Sequence, residues 1–355
     1  MLAYIYQKDK TLDLKDIPKP DMKGEGALLK VMACSICGTD IRTYKSGSTK
    51  IDEGRIIGHE IVGEITDLSE DFSGEFRVGD IVAVAPAIGC GSCYSCKKGK
   101  TNMCEDLKTI GFQYDGGFAE YMIIPRQAFK MGNVYRLPEV ENVSAFTLSE
   151  PLACAINAQS YLQIKPGEDV VIFGSGIIGC MHAELALNSG ADKVIIVETS
   201  AERINQAGKL LNGATFINAA ETDVFAEVSC LTEGKGADVA IIACSVGSAQ
   251  TDGMKVLAKC GRISLFGGLA GNSTGYIDSN LVHYREISVF GVHASTPAQN
   301  KQAMELIHQG VINVEKYITK RYPLKEINEA FKDIDGGSIM KAVIVNELNE
   351  LGKFR

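Results

Sequence analysis

Gly174-Ser175-Gly176-Ile177-Ile178-Gly179 follows the apolar run Val170–Phe173 and opens a helix-like stretch, Ile177–Ser189. A G-x-G-x-x-G in that strand–turn–helix setting leaves few folds open. The first glycine makes the turn, the second lets the backbone approach a pyrophosphate, and the third lets the helix pack on the strand. The helix N-terminus adds free N–H groups and partial positive charge for phosphate. Around this loop the chain alternates between strands and helices. Strands are expected at Val194–Val197, Ala214–Ile217, Val239–Ala243 and Ile263–Phe266, with a helix over Ala201–Leu211. Strands separated by helices imply right-handed crossovers and a parallel sheet covered on both faces, an α/β doubly wound arrangement.

The cofactor for such a sheet is a dinucleotide, and the fold is that of a Rossmann domain. Glu198 ends the second strand, nineteen residues past Gly179. An acidic side chain there accepts hydrogen bonds from ribose hydroxyls and repels a 2′-phosphate, which favours NAD(H) over NADP(H). Arg203 stands close by in sequence and is a group able to tolerate that phosphate.

The grammar differs on either side. Residues 1–150 read as β-rich, with runs at Ala27–Met32, Ile56–Ile65, Ile81–Ala85 and Phe118–Ile124. Two long loops, about 34–55 and 86–117, interrupt them, and both carry cysteine. After 293 the chain reads as helical at Asn300–Gln309 and Lys325–Asp333 and ends in a strand, Lys341–Val345. The 355 residues therefore divide into a dinucleotide-binding domain, 151–293, and a second domain from 1–150 with 294–355.

Four of the eleven cysteines, Cys90, Cys93, Cys96 and Cys104, have the spacing C-x2-C-x2-C-x7-C. Two-residue gaps aim neighbouring thiolates at a common centre, and four thiolates complete the tetrahedron Zn(II) prefers. No position is left open, so such a site is structural. A disulfide pair or an iron–sulfur cluster is the competing reading; ferredoxin runs differ in spacing and have a proline after the last cysteine. The N-terminus lacks a basic start, apolar run and cleavage site, so a cytoplasmic location is expected, where clustered cysteines bind metal more often than they pair. No window approaches a membrane span, and a net charge of −8 argues against nucleic acid as a partner.

A second metal site is a matter of combination. With only five histidines, few can be ligands. His59 lies in Gly58-His59-Glu60, Cys37 in Cys37-Gly38-Thr39-Asp40, and Glu150 in Ser149-Glu150-Pro151. One thiolate, one imidazole and one carboxylate give three ligands and leave a fourth position for water or substrate, the layout of a catalytic zinc.

In that order, with Val78-Gly79-Asp80, Gly116-Gly117-Phe118-Ala119-Glu120-Tyr121 and Glu150-Pro151-Leu152, the whole chain resembles the zinc-containing medium-chain alcohol dehydrogenases. Its Glu-Pro-Leu is similar to the polyol branch, that of sorbitol and xylitol dehydrogenases. The resemblance implies a GroES-like catalytic domain joined to the Rossmann domain, and two zinc ions per subunit. It makes Cys37 and His59 ligands, with Glu150 or Glu60 supplying the carboxylate. Two carboxylates at once would leave the site net negative, so the two alternate. It also implies a homotetramer or homodimer. One departure stands out: where the family often has a relay histidine, five residues after the catalytic cysteine, this chain has Arg42. Arginine accepts no proton near neutral pH.

The expected chemistry is reversible oxidation of a secondary alcohol or polyol. Zinc lowers the pKa of the substrate hydroxyl, Thr39 takes the proton, and hydride passes to the nicotinamide, expected in the cleft between domains at the carboxyl ends of the strands. Arg42, Tyr44 and His293 are candidate substrate contacts. Arg42, Tyr44, Lys45 and Lys50 also permit a phosphorylated polyol or an acid, and threonine 3-dehydrogenase is a further candidate. A non-catalytic regulatory protein that keeps zinc and NAD folds is the reading of another class. His182, His283 and His308 read as surface residues.

Overall fold

The computed structural model describes residues 1–7, 12–139, 142–269, 274–337 and 339–346. The last nine residues of the segment 294–355 therefore lie outside those described. Two units form: Met1–Ala153 with Ala294–Arg355, and Cys154–His293.

In the second unit, six parallel strands lie in the order Ala214–Asn218, Lys193–Glu198, Asp169–Phe173, Ala237–Ile242, Leu257–Leu265, Ser288–Gly291. Alternation along the central strand explains the two-sided cover. Val171 and Phe173 join one apolar cluster with Ile195, Val197 and Ile242. Val170 and Ile172 join the other with Val194, Ile196, Val239 and Ile241. A strand buried on both faces has no polar face to show, which is why these read as unbroken Val/Ile runs. The strand Leu257–Leu265 begins six residues before the expected Ile263. The strand Ser288–Gly291 and the helices Val224–Leu231, Gly247–Lys255 and Ser279–Arg285 complete the alternation.

The helix after the glycine loop, Ile177–Asn188, is buried at every position from Gly179 to Ala186. His182 lies within that run and is fully buried, so its surface reading does not hold. The error has a physical source: a helix apolar on all sides has no exposed face on which to place a lone histidine. Gln159 Nε2 donates to the His182 carbonyl at 2.8 Å and stands 3.3 Å from its Nδ1, and the Phe266 ring meets the imidazole edge-on at 4.9 Å.

Burial pushes the His182 pKa from 6.5 down to about 3. Above pH 6.5 folded and unfolded chains both carry it neutral. As pH falls through 6.5 the unfolded chain takes a proton that the folded one refuses, so stability falls until the folded pKa is reached. At pH 4.5 the deficit is about 3 kcal/mol. In melting experiments at pH 7 and pH 4.5, His182→Gln should therefore lose less stability on acidification than the wild type; equal losses would place the acid sensitivity elsewhere.

In the first unit a seven-stranded sheet runs Ile318–Pro323, Lys341–Val345, Ala27–Ser35, Glu60–Leu68, Ile81–Val84, Val134–Arg136, with Tyr121–Ile124 also pairing Ala27–Ser35. The first pair is parallel and the other pairs are antiparallel. Its core gathers Leu29, Val31, Ile61, Ile65, Phe118, Met122 and Phe331. The loop expected over 34–55 contains a helix, Gly38–Ser46. The strand expected from Ile56 begins only at Glu60, because Gly58 takes φ +95°. A Cβ there would meet the Phe118 ring at 2.8 Å, so no other residue makes this turn without displacing that ring.

Candidate functional site

Two sheet registers bring the first group of side chains together. Ser35 pairs with Glu60 on one side and with Val343 on the other. Residues two apart on a strand share a face, so Lys341, two before Val343, joins Ser35 and Glu60 on one face of the sheet. Glu60 Oε2 accepts from Lys341 Nζ at 2.5 Å and, in a short hydrogen bond, from Ser35 Oγ. His59 precedes that strand, and Cys37 stands immediately before the helix Gly38–Ser46. One ligand atom from each of Cys37, His59 and Glu60 lies within 4.8 Å of the other two.

Asp40 orients this group. Its Oδ2 accepts from the Cys37 backbone N–H at 2.9 Å, and its Oδ1 lies 3.5 Å from His59 Nδ1. Asp40, His59 and Glu60 are all buried. Burial alone would lower the His59 pKa, but the Asp40 carboxylate and the Cys37 thiol outweigh it and hold it well above 6.5. Burial would likewise lower that of Lys341, and Glu60, Cys37 and Glu150 together raise it. The donor set suits zinc: a sulfur, an imidazole and a carboxylate converge, and Glu60 Oε1 is buried without a hydrogen-bond partner. A metal ion there must displace the protons of thiol and imidazole.

Of the two glutamates that the sequence left open, Glu60 supplies the carboxylate of this three-residue group. Glu150 is half-buried in the first turn of the helix Ser149–Leu162 and adds its charge to the field on Lys341.

Thr39, half-buried in the first turn of Gly38–Ser46, accepts a hydrogen bond from Arg42 Nη2 at 3.0 Å. Tyr44, a candidate substrate contact, stacks on Phe331 with ring centroids 4.9 Å apart. Lys45 pairs with Asp335 and Lys50 is exposed. His293 is exposed, and its carbonyl accepts from Asn157 Nδ2 at 3.4 Å.

The four-cysteine lobe closes on itself. Cys90, Cys93, Cys96 and Cys104 form one group of converging sulfurs, and none of the eleven cysteines is bridged. Cys93 Sγ and Cys104 Sγ stand 3.8 Å apart. A tetrahedron with Zn–S bonds of about 2.3 Å has sulfur–sulfur edges of about 3.8 Å, so the spacing fits zinc rather than a disulfide. Backbone N–H groups of Cys90 and Cys93 point at sulfur, at 3.1 and 3.3 Å. Hydrogen bonds from Ser92 and from the Cys93 backbone bring the Cys90 thiol down to about 6, while burial pushes Cys96 up to about 12.

At the glycine loop the three glycines do three different things. Gly174 takes φ +107°, beyond the reach of most side chains. A Cβ on Gly179 would collide with the Gly174 carbonyl. Gly176 faces open space, with nothing within 4 Å of its missing Cβ, directly before the half-buried Ile177 and Ile178. Glu198 Oε2 accepts from Ser175 N and Oγ, both at 3.1 Å, and Oε1 accepts from Thr199 N at 2.8 Å and Ser200 N at 3.2 Å. Partial burial would raise the Glu198 pKa, and these donors reverse that and lower it. Arg203 is exposed in the first turn of Ala201–Leu210.

Sequence reasoning passed over Asp40, Ser35 and Lys341. Asp40 had a local signal, since an acid three residues after a helix N-cap is a capping spacing. Lys341 had none: it lies 281 residues from Glu60, and only the sheet register joins them.

Residues 23–136 match the family described as alcohol dehydrogenase GroES-like domain, and residues 178–309 that described as zinc-binding dehydrogenase. L-threonine 3-dehydrogenase of Pyrococcus furiosus is 35% identical over 337 residues, 93% of each chain. Sorbitol dehydrogenase of Bacillus subtilis is 28% identical, covering 94% of this chain and 93% of that one. Among solved structures, a zinc-binding dehydrogenase from Sinorhizobium meliloti bound to NADP superposes with a TM-score of 0.88 at 26% identity, covering 97% and 98% of the two chains.

Proposed function

This chain belongs to the zinc-dependent medium-chain alcohol dehydrogenases, which are oxidoreductases, and from that premise we propose that it reversibly oxidises a secondary alcohol or polyol with NAD. The convergence of Cys37, His59 and Glu60, two residues from Thr39, is the observation that carries the reading. Cys37, His59 and a glutamate would hold the catalytic zinc, with Glu60 as the resting carboxylate and Glu150 as its alternate. Cys90, Cys93, Cys96 and Cys104 would hold the structural one.

When bound, zinc supplies a Lewis acid that lowers the pKa of a substrate hydroxyl, and NAD supplies a hydride acceptor. Asp40 fixes the His59 ring and, through its backbone bond, the Cys37 turn. Lys341 offsets the negative charge of Glu60. Thr39 receives the hydroxyl proton. Arg42 holds the Thr39 oxygen but takes no proton, so the proton leaves through the Thr39 hydroxyl to the cofactor ribose or to water.

The glycine loop supports dinucleotide binding, and Glu198 supports NAD over NADP, since its donors keep it ionised against a 2′-phosphate. Residues 151–293 are assigned as the cofactor domain and 1–150 with 294–355 as the catalytic one. Eleven unbridged cysteines suit a reducing cytoplasm. Among the described residues no helix is long and apolar enough to cross a membrane. The assembly is proposed as a homotetramer or homodimer.

The relatives favour two substrate classes, polyols and L-threonine, and polyol phosphates are a third alternative. NADH formation measured by absorbance, on mixing the zinc-loaded protein with NAD and sorbitol, xylitol, threonine, simple secondary alcohols or polyol phosphates, tests the reading. Turnover of at least one member is expected. Silence across the panel would favour a non-catalytic NAD- and zinc-binding protein.

A further inference from the structure

Resting on the dehydrogenase reading, we propose that Arg42 is a substrate-anion site, selecting hydroxy acids whose carboxylate lies one or two carbons from the reacting hydroxyl over neutral alcohols of the same shape.

The first support is position. Arg42 Nη2 donates to Thr39 Oγ1 at 3.0 Å, so the guanidinium abuts the hydroxyl that is to receive the substrate proton. The second is charge. A guanidinium carries five N–H donors. Among the described residues, no carboxylate pairs with Arg42, and its one side-chain hydrogen bond is the one to Thr39. Its neighbours are compensated: Asp40, the only acid of the helix, is buried against Cys37 and His59, and Lys45 pairs with Asp335. Arg42 thus holds a permanent charge at an exposed position with donors to spare.

Such a residue on an arbitrary stretch of surface says little. Its contact with Thr39 is what fixes the ligand's shape. A carboxylate bound to the free edge of the guanidinium sits about 2.8 Å from nitrogen, hence about 5 Å from Thr39 Oγ. A substrate hydroxyl bonded to Thr39 lies about 2.7 Å from the same oxygen. The two oxygens of the ligand are then roughly 2–8 Å apart, a range that takes in 2- and 3-hydroxy acids.

The test uses the zinc-loaded full chain and pairs of compounds that differ only in carboxylate against CH2OH: L-threonine with L-threoninol, 3-hydroxybutyrate with 1,3-butanediol, lactate with 1,2-propanediol. Within the pair that is turned over, the acid should be the better substrate by about 10-fold or more in kcat/KM. Arg42→Met should shrink that ratio by about 10- to 100-fold, chiefly through the KM of the acid, and Arg42→Lys should restore part of it. If neutral members are oxidised as well as acids, and the ratio is unmoved by Arg42→Met, the proposal fails and the dehydrogenase reading stands. A rise in the KM for NAD with an unmoved acid-to-neutral ratio assigns Arg42 to the cofactor and also overturns it. No oxidation of any alcohol, acid or neutral, sinks both together.

Discussion

Thr39→Val is expected to lower kcat by about 10²- to 10⁴-fold, the range of a lost proton-transfer group, while zinc content and NAD binding stay at wild-type levels. Valine matches threonine in shape and removes only the hydroxyl. The helix Gly38–Ser46 does not depend on that hydroxyl for its place. Asp40 ties its start to Cys37, Tyr44 stacks on Phe331, and Lys45 pairs with Asp335. The bond lost is the one from Arg42, which is exposed and hydrates readily. Metal analysis and cofactor titration on the same sample separate a chemical defect from a folding one. Near wild-type turnover in this variant would mean that the substrate proton leaves by another route.

The second large effect concerns stability. Lys341→Met should cost the metal-free protein about 3–5 kcal/mol, the penalty of removing one partner from a buried ion pair. Lys341 is 3% exposed and Glu60 is 0% exposed, so water cannot replace the lost ammonium. Zinc can, because Glu60 belongs to the same group as Cys37 and His59 and its Oε1 has no hydrogen-bond partner. The expected result is a variant whose melting temperature falls far in chelator and much less after zinc is restored. An equal fall in both states would show that the Glu60 charge is not taken up by the metal.

The sequence made some of this legible and hid the rest, for physical reasons. The parallel sheet was readable because strands buried on both faces become apolar runs, and the glycine loop because three separate steric demands leave three glycines in fixed places. The four-cysteine lobe was readable because all its ligands fall within fifteen residues. The surface reading of His182 does not hold, because the helix around it is buried from Gly179 to Ala186. The strand Ser288–Gly291 has exposed ends, and its short pattern gave no period to detect. At the metal group the ligand identities were local, but the charge that balances them was not. Arg42 was visible as an unusual residue, and its contact with Thr39 appeared only once helix Gly38–Ser46 formed within what read as a loop.

The strand Lys341–Val345 lies between Ile318–Pro323 and Ala27–Ser35 in the sheet. A ribosome delivers Cys37, His59 and Glu60 first and their balancing ammonium only 281 residues after Glu60. During that interval the nascent ligand cluster is more anionic than in the finished protein, and it attracts any divalent cation more strongly. Arrival of Lys341 removes that surplus, so the pull of this centre on a divalent cation reaches its final strength only after the strand Lys341–Val345 joins the sheet.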